Sequence, residues 1–388
     1  MNTEQTKDDS ERFFQVKHRD AQCSARLGAL HTEHGDAPTP AFMPVGTQGT
    51  VKAMTPEEVA EIGAAIILCN TYHLYLRPGA ELIRKAGGLH RFMHWNGTIL
   101  TDSGGFQVHS LSHLKKVTEE GVLFRSHIDG SLHLFTPEIS IKVQEELGSD
   151  LIMPLDICLP YPSPTKQLES AVVRTTRWAE RAQEFHADKP GVLFGIIQGG
   201  TSLDLRKQSL AELEHLDFAG LAIGGLSVGE NKQEMVEVLT GFMAEMPEKK
   251  PHYLMGMSSP LALLDCVGLG MDLFDCVLPT RLGRNGTVYN AQGKINIDNA
   301  CFREDFGPID SRCDCYVCRH YSRAYLRHLF IAKEMLAGRL MSYHNLRFME
   351  RLMEQTRQAI LTDRFLEFQR SFATIYQEKS INQTEGMG

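Results

Sequence analysis

Eight short apolar runs, each ending in a small or polar residue and set apart by stretches of helical spacing, constrain this 388-residue chain more than any other feature. They are PAFMPVG (40–46), AIILCN (65–70), TILTD (98–102), DLIMPLD (150–156), VLFGIIQGG (192–200), GLAIGG (220–225), HYLMG (252–256) and DLFDCV (272–277). Unbroken apolar runs of this length suit parallel strands buried on both faces, because a strand with one wet face would alternate. Between them, Pro56-Glu57-Glu58 and Pro137-Glu138 each follow a threonine and read as capped helix starts with proline in the first turn. Amphipathic spacing predicts helices over 168–185, 203–216 and 233–246, and two longer ones near 320–337 and 344–360. Strand and helix alternating eight times predict a (β/α)8 barrel, with an open doubly wound sheet as the alternative.

In a barrel, chemistry collects at the C-terminal strand ends. Those ends carry Asn70, Asp102, Asp156, Gln198, Gly225, Gly256 and Asp275, so three carboxylates and two side-chain amides would share one rim. Composition excludes several other classes. Charged residues at 23% and hydrophobic ones at 42% describe a globular chain rather than a disordered one. No apolar run nears the ~18–20 residues that span a bilayer, and the first twelve residues lack a secretory core, so a cytoplasmic protein is expected. Nine cysteines, an odd number spread over a long chain, do not form a disulfide framework. The net charge of −8 hides an asymmetry: residues 278–347 hold eleven Lys/Arg against six Asp/Glu. One basic face on an acidic body permits a polyanionic partner there.

Several motifs carry chemistry. TDSGGFQV (101–108) sets Asp102 before two glycines that let backbone approach a ligand, although a plain strand-exit turn also explains Ser-Gly-Gly. In IIQGG (196–200), Gln198 offers a donor and an acceptor to a planar, amide-bearing ring. MDLFDCVLPTRLGRNG (271–286) places Asp275 ahead of Arg281 and Arg284, a nucleophile beside phosphate contacts or a structural ion pair. CDCYVC (313–318) has C-x-C-x2-C spacing, which in a cytosolic chain points to tetrahedral zinc. His344, at the expected start of the last long helix, is the candidate fourth ligand, with His320 and Cys301 as rivals. A closed Cys/His shell leaves no water position, so such a site is structural.

Taken in order, LCNTYHLYLRPG, LTDSGGFQV, GSDLIMPLD, IIQGG, IGGLSVGE, YLMG, FDCVLPTR, GRNG and C-x-C-x2-C…His resemble the tRNA-guanine transglycosylases from about residue 13 to 375. The resemblance implies a (β/α)8 barrel with a C-terminal zinc-binding subdomain and one structural zinc per chain. It implies exchange of guanine at the wobble position of a tRNA with a GUN anticodon for a 7-deazaguanine base, by a homodimer. Matched residue by residue, Asp275 becomes the nucleophile and Asp102 the proton-handling group. Phe106 and Met255 would cover the two faces of the base. Asp156, Gln198, Gly225 and Leu226 would read its edge, Arg281 and Arg284 would contact RNA, and Cys313, Cys315, Cys318 and His344 would hold zinc.

The residue types suit that chemistry. Loss of a purine leaves an oxocarbenium-like sugar that a carboxylate can trap, while the leaving and incoming bases trade a proton. Ile157 and Ser227 depart from the bacterial pattern, whereas Cys158 and Val228 keep it. The natural base is therefore 7-aminomethyl-7-deazaguanine or the larger queuine, with Val228 favouring the former. A non-catalytic accessory subunit of the same family is the alternative, opposed by the retained Asp102, Phe106 and Asp275. The expected units are a tail (1–12), the barrel (13–300), the zinc subdomain (301–350), a C-terminal helix (351–378) and a second tail (379–388).

Overall fold

Alternation within the apolar runs explains how they are used. In Ile66–Cys69, Ile66 and Leu68 join one buried cluster while Ile67 and Cys69 join another. The first cluster fills a barrel and the second lies under the helices outside it, so both strand faces are apolar. The computed structural model describes residues 13–111, 115–187, 189–257 and 259–377; the two expected tails lie outside the described residues. An antiparallel sheet comes first: β1 (Phe14–Arg19), β2 (Arg26–Thr32) and β3 (Gly35–Thr39). The barrel begins with β4 (Ala41–Gly46), β5 (Ile66–Cys69) and β6 (Thr98–Thr101). A second antiparallel sheet of β7 (Lys115–Val117), β8 (Val122–Arg125) and β9 (Leu132–Phe135) interrupts it. The barrel resumes with β10 (Leu151–Ile152), β11 (Val192–Ile197), β12 (Gly220–Ile223), β13 (His252–Leu254) and β14 (Leu273–Cys276).

Parallel pairing of β14 with β4 closes the ring, so the eight predicted strands form a closed barrel rather than an open sheet. Its N-terminal end is plugged by the first sheet. Phe13, Phe14 and Leu30 pack with Phe194, Leu151 and Leu273 in the interior cluster. Arg26, buried, forms a two-pronged ion pair with the buried Asp272 at the foot of β14, at 3.0 and 2.5 Å. With the floor sealed, the C-terminal mouth is the open end.

The predicted capped starts are present. Thr55 and Glu58 form a capping box on Pro56–Glu61, and Thr136 caps Pro137–Leu147, which ends on left-handed Gly148. Beyond β14 the helix Leu278–Arg284 leads into the hairpin β15 (Thr287–Asn290) and β16 (Gly293–Asn296). Two corrections arise in the C-terminal region. The helix expected over 320–337 is Arg323–Ile331, and the chain turns through Lys333 at φ 57°. The next helix then starts at Met335 and runs to Leu361, so His344 lies inside it and does not begin it. That helix passes unbroken through the expected boundary at 350/351.

Candidate active site and metal centre

The interior alternation that fills the barrel also aims the rim. Leu100, Ile196 and Leu273 point inward, so Asp102, Gln198 and Asp275, two residues later, fall on the same face at the mouth. Asn70, just beyond β5, does two jobs. Its Oδ1 accepts from the His73 N–H (3.1 Å) and caps Thr71–Leu76, while its Nδ2 donates to Asp102. Asp102 Oδ1 also accepts from the N–H groups of Thr71 (2.9 Å) and Gly104 (3.2 Å). Burial nevertheless pushes the Asp102 carboxyl up to about 7, helped by the charges of Asp275 and Asp156 and opposed by the backbone donors.

Asp156 accepts from Ser103 Oγ (3.1 Å) and Gln198 Nε2 (2.7 Å), and burial raises its pKa despite both bonds. Asp275 receives the Tyr253 hydroxyl (2.6 Å) and the Gly256 N–H (2.8 Å) on the same oxygen, Oδ1. Its Oδ2 has no hydrogen bond among the described residues, which leaves a lone pair for attack. Burial raises Asp275 too, while those donors pull it back. Three carboxylates with raised pKa values on one rim form a coupled set, able to hold a proton in one place and an anion in another.

The remaining predicted residues surround this centre. Phe106 is 51% exposed on the helix Gly105–Leu111, and Met255 is half-buried just past β13. Gly225 (φ 65°) and buried Leu226 follow β12. Gly225 sits so close to Gln198 that an added Cβ would be 2.4 Å from its Oε1. Ile157 is buried among Val108, Val117 and Val122, so its apolar side chain suits its surroundings. Sequence reasoning missed Tyr253 and Ser103, although both stand inside quoted motifs, one before Leu254 in HYLMG and one after Asp102.

Arg281 and Arg284 lie on the helix Leu278–Arg284, with Arg281 exposed and Arg284 partly buried. The alternative of a structural ion pair finds no support at Arg284: Asp272 is taken by Arg26, and among the described residues the Arg284 Nη1 has no hydrogen-bond partner. The flanking glycines are closely packed. A Cβ on Gly283 would be 2.7 Å from the Ser342 nitrogen, and one on Gly286 2.6 Å from the Phe330 ring, so both serve internal packing.

Cys313, Cys315, Cys318 and His344 converge, with His344 Nδ1 3.8, 3.5 and 3.3 Å from the three sulfurs. A tetrahedral zinc bonded at ~2.3 Å to sulfur and ~2.0 Å to nitrogen would hold them about 3.5 Å apart, so the residues fit the metal. His344 Nε2 donates to the Tyr289 carbonyl (2.6 Å), which fixes the tautomer with Nδ1 free for a metal. The rivals fall away: Cys301 is exposed, and His320 packs on Tyr316.

A closed (β/α)8 barrel with a carboxylate-lined mouth and, beside it, a Cys3His cluster able to hold a metal defines a class of barrel enzyme. Within that class the chain belongs to the queuine tRNA-ribosyltransferase family, whose model matches residues 20–378. It is 57% identical over 364 residues to the queuine tRNA-ribosyltransferase of Pelotomaculum thermopropionicum, covering 94% of this chain and 98% of that one. The protein of the same name from Caldanaerobacter subterraneus subsp. tengcongensis is 56% identical over 364 residues, covering 94% and 97%.

Proposed function

We propose that this chain exchanges guanine at the wobble position of a GUN-anticodon tRNA for a 7-deazaguanine base, through a covalent aspartyl-ribosyl intermediate. The observation that carries the reading is the pairing of Asp275, whose Oδ2 has no hydrogen bond among the described residues, with Asp102, whose carboxyl is poised near neutrality. Asp275 Oδ2 forms a bond to C1′ as the bond from C1′ to the purine breaks, and protonated Asp102 gives its proton to the departing guanine. The incoming base then loses its ring N–H proton to Asp102, attacks C1′ and releases the Asp275 carboxylate. Protons and charge balance over the cycle, and no redox group takes part.

Asp156 and Gln198, already joined to each other, read the base edge with the backbone of Gly225 and Leu226. Phe106 and Met255 cover its faces once it is swung out of the anticodon loop. The natural base is 7-aminomethyl-7-deazaguanine, supported by the partly buried Val228 beside the Gly225 turn. Zinc held by Cys313, Cys315, Cys318 and His344 supplies a structural crosslink. Arg281 and Arg284 contact the RNA backbone. A homodimer is supported by apolar groups left exposed around the metal lobe, among them Tyr325, Ile331, Met335 and Leu336. Among the described residues no helix is long and apolar enough to cross a membrane, in keeping with work on tRNA in the cytoplasm.

Incubation with guanine-containing tRNA, followed by denaturing electrophoresis, tests the centre of this proposal. The parent chain is expected to give an RNA–protein adduct, and Asp275→Asn to give neither adduct nor base exchange while keeping the parent melting temperature. An adduct that survives the substitution overturns Asp275 as nucleophile.

A further inference from the structure

Arg206 lies fully buried on the helix Leu203–Glu214, under the ends of β11 and β12. Its guanidinium meets backbone carbonyls only. Nη1 donates to Ile197 (2.8 Å) and Gly224 (2.6 Å), and Nε donates to Gly200 (2.9 Å). Ile197 and Gly224 are the residues immediately before Gln198 and Gly225, the two groups assigned above to the base. Among the described residues Nη2 has no hydrogen-bond partner, and an added Cβ on Gly225 would be 3.7 Å from it. No carboxylate is bonded to Arg206 among the described residues.

We propose that Arg206 is a positioning residue for base recognition, holding the Gln198 and Gly225 turns in register from beneath, which presupposes the base exchange proposed above. Geometry links it to the pocket in two steps. The Gly224–Gly225 pair walls in the Gln198 amide, since a Cβ on Gly224 would meet Gln198 Nε2 at 2.6 Å. Gln198 Nε2 in turn donates to Asp156 Oδ2 at 2.7 Å. Whatever fixes the Gly224 peptide therefore fixes the amide and the carboxylate that face the base. The same helix adds a second hold, because Ser209 Oγ accepts the Gln198 N–H at 3.1 Å. On its outer side the turn is tied by Glu230, whose carboxylate accepts the N–H groups of Ser227 and Val228.

A staple that served folding alone would be better made from a neutral or paired group. Burying a cation with no carboxylate bonded to it costs stability, and here burial draws the guanidinium down to about 10, against the opposing charges of Cys158 and Glu230. The return on that cost is expected in binding, where two rigid readers lose little freedom when the base arrives.

Steady-state exchange of labelled guanine into tRNA, in the parent chain and in Arg206→Lys and Arg206→Met, tests the assignment. The KM for the base is expected to rise about tenfold or more in both variants. Saturating kcat should stay within about threefold of the parent and the KM for tRNA should not move. Lysine keeps the charge but can reach fewer of the three carbonyls, so it should sit between the parent and Arg206→Met. If Arg206→Met does not fold, Arg206→Lys decides alone. An unchanged base KM, or a parallel loss in kcat and both KM values that tracks the folded fraction, overturns the proposal, as does a lysine variant that fails to fold. A parent chain that exchanges no guanine strikes the functional reading itself, before any variant is compared, and the positioning role falls with it.

Discussion

Burial and two neighbouring carboxylates keep Asp102 protonated to about pH 7, well above its pKa in an unfolded chain. The linkage has a definite sign. Between about pH 4 and pH 7 the folded chain retains a proton that the unfolded chain releases, so this group's stabilising contribution is present at low pH and fades as pH rises through about 7. Asp102→Asn removes that dependence. The melting temperature of the variant, taken relative to the parent, should climb by a few degrees between pH 5 and pH 8 while base exchange is lost. A difference that stays flat across that range would refute the raised pKa. Asp102 and Asp275 were legible in the sequence because each stands at the end of an apolar run with its own motif. Tyr253 and Ser103 were not, because their value comes from partners on neighbouring strands that meet only when the barrel closes. The alternative of a structural ion pair for Arg284 could not be decided from sequence for the same reason: Asp272 is occupied by Arg26, almost 250 residues before it in the chain.

The long helix Met335–Leu361 joins metal lobe and barrel, since His344 faces the cysteines while Ser342 and Asn345 bond the carbonyls of Thr280 and Pro279. Loss of the metal should therefore loosen more than its own loop. Cys315→Ala is expected to abolish about one equivalent of tightly held zinc and to lower the melting temperature, as should prolonged chelation of the parent. Full zinc content in the variant, measured by metal analysis, would remove Cys315 from the ligand set. Helix starts were the easiest elements to read, because Thr55 and Thr136 announce themselves by side-chain chemistry. The stop after Ile331 was hidden, since apolar spacing carries on through a turn that depends on Lys333 adopting a left-handed conformation. The three small antiparallel sheets escaped for a different reason: most of their strands are partly exposed and lack the unbroken apolar runs that mark the barrel.

Charge and apolar surface decide how the molecule meets its partners. Arg281 is exposed and Arg284 has an Nη1 with no hydrogen-bond partner among the described residues, both in the basic section of an acidic protein. Replacing Arg281 by Ala should flatten the log–log dependence of tRNA affinity on salt by roughly 0.7–0.9. A variant with the parent slope would place that side chain off the RNA. If the exposed Ile331 and Met335 face a second copy, Ile331→Glu with Met335→Lys should yield monomers in sedimentation at micromolar concentration; a dimer that persists would move the interface elsewhere. The barrel itself was legible almost strand for strand, because burial on both faces writes itself into every residue of a run. Its closure has a consequence in time. Asp275 rides on β14, the last barrel strand to be made, and β14 must seat against β4, the first. A ribosome translating this message has released Asp102, Asp156 and Gln198 long before Asp275, the proposed nucleophile, emerges. On the mechanism proposed above, a nascent or truncated product would hold pieces of the base pocket but not the Asp275 that captures the ribose, so unfinished copies would stay chemically silent toward tRNA.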